Sequence, residues 1–311
     1  MDEPERMGLS LTPRECLAST DMRITVHDTM TQTRQLLGAP LAQRPARLEE
    51  MLTPVLPMYA YAPAGPIESH HLGNGFRVDL ERGELYRHAL DRLERADAWG
   101  QVERCLTEAY AYQLAATPHV RTPAELHVVL LLGDPSDTFF LNVTGGYFGI
   151  GGFSGYLTVT VWPTDANEHK VGFCAVHELH HNLRFTNLAW NPATVTVGDQ
   201  VISEGLAEVF VRELYGEAAM GPWGDPARED EDAYRMVLDH LDVTGMANLS
   251  AYVHGDQTTR RMGGTPVGLP TGVGYVAGVR LVDAHTAATG LTAAQSSLLP
   301  AADVIRSALS P

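Results

Sequence analysis

The stretch VGFCAVHELHHNLRF, residues 171–185, decides how this chain is read. Its apolar spacing predicts a helix, and inside it His177-Glu178-Leu179-His180-His181 matches the pattern H-E-x-x-H. Residues four apart on an α-helix share a face, roughly 40° apart around the axis. His177 and His181 can therefore aim imidazole nitrogens at one ion ~2.0–2.1 Å away. Glu178 lies about 100° further round. It cannot easily join the ligands, but it can reach a water on the ion and take its proton as that water attacks a carbonyl. His180 faces another surface and reads as a packing or supporting side chain. Cys174 could ligate as a thiolate, but a small buried hydrophobe is the simpler reading.

So short a motif can arise by chance in a chain with 13 histidines. A second helix strengthens it. After the loop FTNLAWNPATVTVGD comes QVISEGLAEVFVRELYG, 200–216, with Gly216 as its stop. Glu204 and Glu208 share a face there, which is unfavourable unless something cationic sits opposite. Val201, Ile202, Leu206, Val209 and Phe210 make the helix too apolar for a solvated acidic face. A Zn2+ ion held by His177, His181 and Glu204 resolves this and leaves a fourth tetrahedral position for water, the arrangement of a catalytic zinc. Glu208 then steadies a ligand histidine, taken to be His177, by accepting from its distal nitrogen. Gly205 and Ala207 are small enough to let this helix approach the histidine helix closely.

Taken together, HELHHNLR and SEGLAE resemble a bacterial family of uncharacterised proteins described as predicted zinc-dependent proteases. Its members carry HE-x-HH-x-x-R and, downstream, E-G-L-A-E, and it is grouped with the gluzincins. The resemblance implies a zincin-like metallopeptidase, with ligands His177, His181 and Glu204, base Glu178 and supporting carboxylate Glu208. It implies a structural charge near the site at Arg184. Gly274-Tyr275-Val276-Ala277-Gly278 fits a G-Y-x-x-G segment of the family. The resemblance covers roughly residues 120–290 and leaves the first hundred unexplained. Attack on a carbonyl also needs a donor for the developing oxyanion. Tyr275 is the candidate, and His254 the next, although His254 also reads as a surface-loop histidine.

The rest of the chain supports an α+β fold. Residues 1–20 read as a loose leader, and 23–56 carry apolar positions at helical spacing. Residues 61–75 form a turn-rich connector. Residues 80–115 are strongly helical, with a break near Gly100 and a buried stripe through Leu85, Ala89, Leu93 and Ala96. HVVLLLGD, 127–134, and FFLNV, 139–143, read as strands. GGYFGIGGFSG, 145–155, reads as a glycine-rich loop, irregular hairpin or edge strand. It fails both the dinucleotide fingerprint and the nucleophile elbow. YLTVTVW, 156–162, alternates as a half-buried strand, and Asp165 with Glu168 suggests a capping box opening the histidine helix. The run 229–232 suits a helix N-terminus better than a calcium site. These elements divide into a mostly helical region, 1–120, and a catalytic domain, 121–311. In the latter a small mixed sheet packs on the histidine helix and a helical lobe supplies Glu204.

Bulk composition excludes several classes. The 311 residues are 44% hydrophobic and 19% charged, the profile of a globular protein. A formal net charge of −16 argues against nucleic acid and against anionic lipid surfaces. No secretory signal and no ~20-residue apolar span is evident. Cys16, Cys105 and Cys174 form no disulfide framework, so a reducing compartment, the cytoplasm, fits best. A Cys–His–Asn protease is the weaker reading of those thiols. The expected partner is a peptide or protein substrate. The alternatives are a metal-dependent hydrolase or amidase of a small molecule, and a non-catalytic zinc-binding module.

Overall fold

A computed structural model describes residues 22–62 and 64–310. The expectations placed on residues 1–20 and on Cys16 lie outside them. The described chain is mixed α/β and mostly helical, built around one four-stranded sheet of order β1-β2-β4-β3. Strand β1 (Arg23–Val26) runs parallel to β2 (Glu125–Leu132), and β2 parallel to β4 (Tyr156–Val161). Strand β3 (Tyr147–Phe153) runs antiparallel to β4 and forms the edge, with an irregular register between Ile150 and Phe153. Residues 128–132 of β2 are all buried, as expected of a central strand covered on both faces. Strand β4 is likewise covered on both faces, so Thr158 and Thr160 are buried, where alternation alone suggests a half-exposed strand.

Several local readings are corrected. Residues 139–143 are not a strand: Thr138–Asn142 is a short helix, because Asp137 caps it by accepting from the Phe140 N–H at 3.0 Å. Residues 23–56 include β1 as well as helices. The break in the long helical region falls at Asp97, whose φ of 53° is left-handed, and not at Gly100. Helices Gly83–Arg95 and Ala98–Ala116 flank it. The buried stripe of the first runs through Tyr86, Ala89, Leu90 and Leu93, while Leu85 is exposed. The histidine helix, Val171–Asn187, begins without a side-chain cap; Asp165 and Glu168 are both engaged by Arg92 instead.

The glutamate helix, Val197–Tyr215, opens on a capping box between Thr196 and Asp199 and stops at Gly216. It packs on the histidine helix and on the tyrosine helix, Val273–Thr289. The close approach at Gly205 is to the tyrosine helix and not, as its small size suggests from the sequence, to the histidine helix. A Cβ on Gly205 would lie 2.2 Å from the Gly278 backbone, and one on Gly278 would lie 2.2 Å from the Val201 carbonyl oxygen. A Cβ on Gly274 would lie 2.5 Å from Val253 Cα. The segment GYVAG thus uses its two glycines for backbone contact, with Tyr275 beside the first of them.

Two stability predictions follow from this packing. Gly205→Ala forces backbone against backbone, and should lower stability in urea unfolding by about 1–3 kcal/mol or prevent folding altogether. An unchanged midpoint would refute the packing. His70 is fully buried over Gly75, with its Nε2 3.1 Å from the Phe76 carbonyl oxygen. Burial lowers its pKa from 6.5 to about 3. Between those values the unfolded chain binds a proton that the folded chain refuses, so stability falls as pH drops. His70→Gln should lessen the loss in stability between pH 7 and pH 5 by about 1–2 kcal/mol, read from urea midpoints at the two pH values.

Candidate metal centre

The histidine helix reaches its position because two glycines of β3 let it lie against the strand. A Cβ on Gly149 would meet the Glu178 side chain at 2.2 Å, and one on Gly151 would meet the Glu178 carbonyl oxygen at 2.1 Å. Asn182, one turn further along, fastens the β3–β4 turn to the helix. Its side-chain amide donates to the carbonyls of Gly151, Phe153 and Tyr156 at 2.7–3.0 Å, and its oxygen accepts from the Gly155 N–H at 3.1 Å. The other face of the helix is tied to the glutamate helix by buried Arg184. Its guanidinium donates to Ser203 Oγ, beside Glu204, and to the carbonyls of Ser297 and Leu299. Burial lowers the Arg184 pKa to about 10, which leaves it charged near neutrality.

Three buried side chains converge between these helices. His177 Nε2 and His181 Nε2 are 3.0 Å apart, and Glu204 Oε2 lies 3.2 Å from each. A tetrahedral ion with ligand distances of ~2.1 Å has edges of about 3.4 Å, close to this triangle. Among the described residues this is the one group of three or more His, Cys, Asp or Glu side chains arranged to hold a metal ion. The donor set, two imidazoles and a carboxylate, suits zinc. Cys174 is buried but is not part of the group, and burial pushes its thiol pKa up.

The surrounding groups orient the three. Glu208 Oε1 lies 2.9 Å from His177 Nδ1, and Glu208 Oε2 accepts from the Gly221 N–H at 3.0 Å. Gln200 Nε2 donates to Glu204 Oε1 at 2.7 Å, which leaves Oε2 turned to the histidines. Burial opposes charge on His177 and on Glu204. Their mutual contact, with Glu208 acting on His177 and His181 on Glu204, outweighs it, raising the His177 pKa and lowering that of Glu204. Burial raises the Glu178 pKa against the pull of the two histidines, a direction that suits a base working near neutrality.

His180 is turned away from the group, its ring 5.3 Å from that of Phe210, as helix geometry suggests. Tyr275 is brought to the site: its ring centroid is 6.4 Å from that of His177. Burial, followed by the nearby carboxylates Glu204, Glu178 and Glu208, raises its pKa well above 10, so it stays a neutral phenol able to donate. His254 is not a surface-loop histidine. It ends the helix Met246–Val253 and stands in the cleft wall, 6.0 Å from the Tyr275 ring. Three contributors are absent from the sequence reading. Gln200 could have been found from its i, i+4 spacing to Glu204. Trp223, 5.5 Å from the His177 ring, and Asn182 carry no such signal, because their partners are distant in sequence.

The cluster lies in a cleft of about 730 Å³ whose lining includes β3, Tyr275 and His254. A family model described as Predicted Zn-dependent protease (DUF2268) matches residues 102–306, a span that includes every residue of the cluster. The chain belongs to this family. YjfC, an uncharacterized protein of Bacillus subtilis (strain 168), is 30% identical over 231 residues, covering 73% of this chain and 76% of its own. No solved structure matches significantly.

The metal assignment is tested by elemental analysis of protein purified without added metal. About one zinc per chain is expected, and none in a double His177→Ala, His181→Ala variant that remains folded. Gln200→Leu should keep the fold but weaken zinc binding about 10–100-fold in a chelator competition. Unaltered affinity would show that Gln200 does not orient Glu204.

Proposed function

We propose that this protein is a zinc-dependent metallopeptidase with a zincin-like catalytic fold, hydrolysing peptide bonds with activated water. The observation that carries the reading is the convergence of His177, His181 and Glu204 in an open cleft, with Glu178 beside them. Zinc held there would supply a Lewis acid that polarises the scissile carbonyl and makes water more acidic. Glu178 takes the proton from the attacking water and passes it to the leaving amine. Tyr275 donates to the oxyanion formed on the carbonyl. Glu208 and Gln200 hold His177 and Glu204 in orientation, and Trp223 shields the His177 ring from water.

An extended substrate fits β3. This strand is the edge of the sheet, and among the described residues no strand pairs with its outer side. Asn182 holds the carbonyls of Gly151 and Phe153 at one end, and the outward backbone groups before Gly151 can bind a peptide as an added strand. That open edge favours a peptide over a small amide. All residues assigned a role fall within 121–311, the part read as catalytic, while β1 and helices between β1 and β2 pack on the same sheet. No described helix is long and apolar enough to cross a membrane. Cys105 and Cys174 are free thiols, which suits a reducing, cytoplasmic setting.

Glu178→Gln tests the chemistry. Turnover of a quenched-fluorescent peptide library should fall about 10²–10⁴-fold while bound zinc and thermal unfolding stay unchanged. Activity equal to that of the parent would remove Glu178 from the role of base.

A further inference from the structure

The cleft walls suggest what the substrate brings to them. Apart from the candidate metal cluster, the lining carries a set of bulky apolar side chains: Leu72, Phe139, Val143, Phe148, Ile150 and Met262. They come from four separate segments of the chain. Large apolar groups on a surface cost free energy unless something covers them. Yet Leu72, Ile150 and Met262 are 62%, 42% and 71% exposed, and all three line this cleft.

The charged groups are already engaged. Among the described residues, Arg261 is the only Lys or Arg in the lining. Its guanidinium pairs with Asp137, Nη2 to Oδ2 at 2.5 Å, and lies 4.7 Å from the centre of the Phe139 ring. Asp137 also accepts from Asn74 Nδ2 at 2.7 Å and from the Phe140 N–H at 3.0 Å. Among the described residues, the only carboxylates in the lining are Glu178 and Glu204, both at the candidate metal cluster. Among the described lining residues a basic side chain entering the cleft finds no free anion, and an acidic one finds no free cation and a chain of net charge −16. An apolar side chain finds a wall.

We infer that the cleft selects a substrate with a bulky apolar side chain next to the scissile bond and rejects both acidic and basic ones there. This rests on the metallopeptidase reading and adds the substrate class to it. Ile150 and Met262 are the specificity-determining residues easiest to change, because both are exposed and neither supports the core. Covering a leucine or phenylalanine side chain contributes about 1.5–3 kcal/mol, or about 10–100-fold in affinity.

The test measures binding, not turnover. The probes are peptidyl hydroxamates identical except for one side chain, glycine, leucine, phenylalanine, glutamate or lysine, with acetohydroxamate as the probe of the metal alone. Titrated against the zinc-loaded protein, the leucine and phenylalanine probes should bind about 10–100-fold more tightly than the glycine probe, and the charged probes no better than glycine. In Ile150→Lys, and separately in Met262→Lys, the leucine probe should weaken and the glutamate probe strengthen by about three-fold or more. Loss of packing alone would not produce that exchange of preference. If acetohydroxamate fails to bind, the metallopeptidase reading falls, and the inference with it. If acetohydroxamate binds but the leucine and glycine probes are equal, or both lysine variants keep the parental order, the inference alone is overturned.

Discussion

The structure depends on placing carboxylates inside a protein core. Glu178, Glu204 and Glu208 are all buried, within reach of two buried imidazoles. Removing a carboxylate from water is expensive unless positive charge and hydrogen bonds replace the water. Buried Arg184 does not serve, because its donors go to Ser203, Ser297 and Leu299. The facing Nε2 atoms of His177 and His181 also stand 3.0 Å apart, too close for an N–H on each. A divalent ion between the three ligand atoms removes both difficulties at once.

The remaining architecture holds two helices at one separation. Glycines set the distances at three interfaces: β3 against Glu178, Gly205 against Gly278, and Gly274 against Val253. Polar clamps set the orientation. Asn182 secures the edge strand above the histidine helix, and Arg184 joins that helix to the glutamate helix at Ser203. Ser203 directly precedes Glu204, so this clamp lies beside the carboxylate that faces the histidines. Gln200 then selects which oxygen of that carboxylate faces the histidines. The tyrosine helix completes the site from the third side, its glycine spacing delivering Tyr275 to the cleft.

Much of this was legible in the sequence for a physical reason. Helical periodicity converts spacing into direction, so His177 and His181 could be placed on one face and His180 off it without coordinates. The burial of Glu204 and Glu208 followed from their apolar neighbours. What could not be read were relations between segments far apart in sequence. Strand β1 is only four residues long and takes its identity from pairing with β2, about a hundred residues later. FFLNV has the composition of a strand, but Asp137 caps it as a helix. Gly205 was recognisable as a close-approach residue, yet its partner could have been either neighbouring helix. Asn182, Trp223 and the position of His254 depend on tertiary contacts alone.

The central claim is that two imidazoles and one carboxylate share a single zinc ion. X-ray absorption at the zinc edge of the purified protein tests it most directly. The account predicts nitrogen and oxygen neighbours only, at ~2.0–2.2 Å, with the outer-shell scattering of two imidazole rings. A sulfur neighbour at ~2.3 Å, or the absence of imidazole scattering, would contradict it.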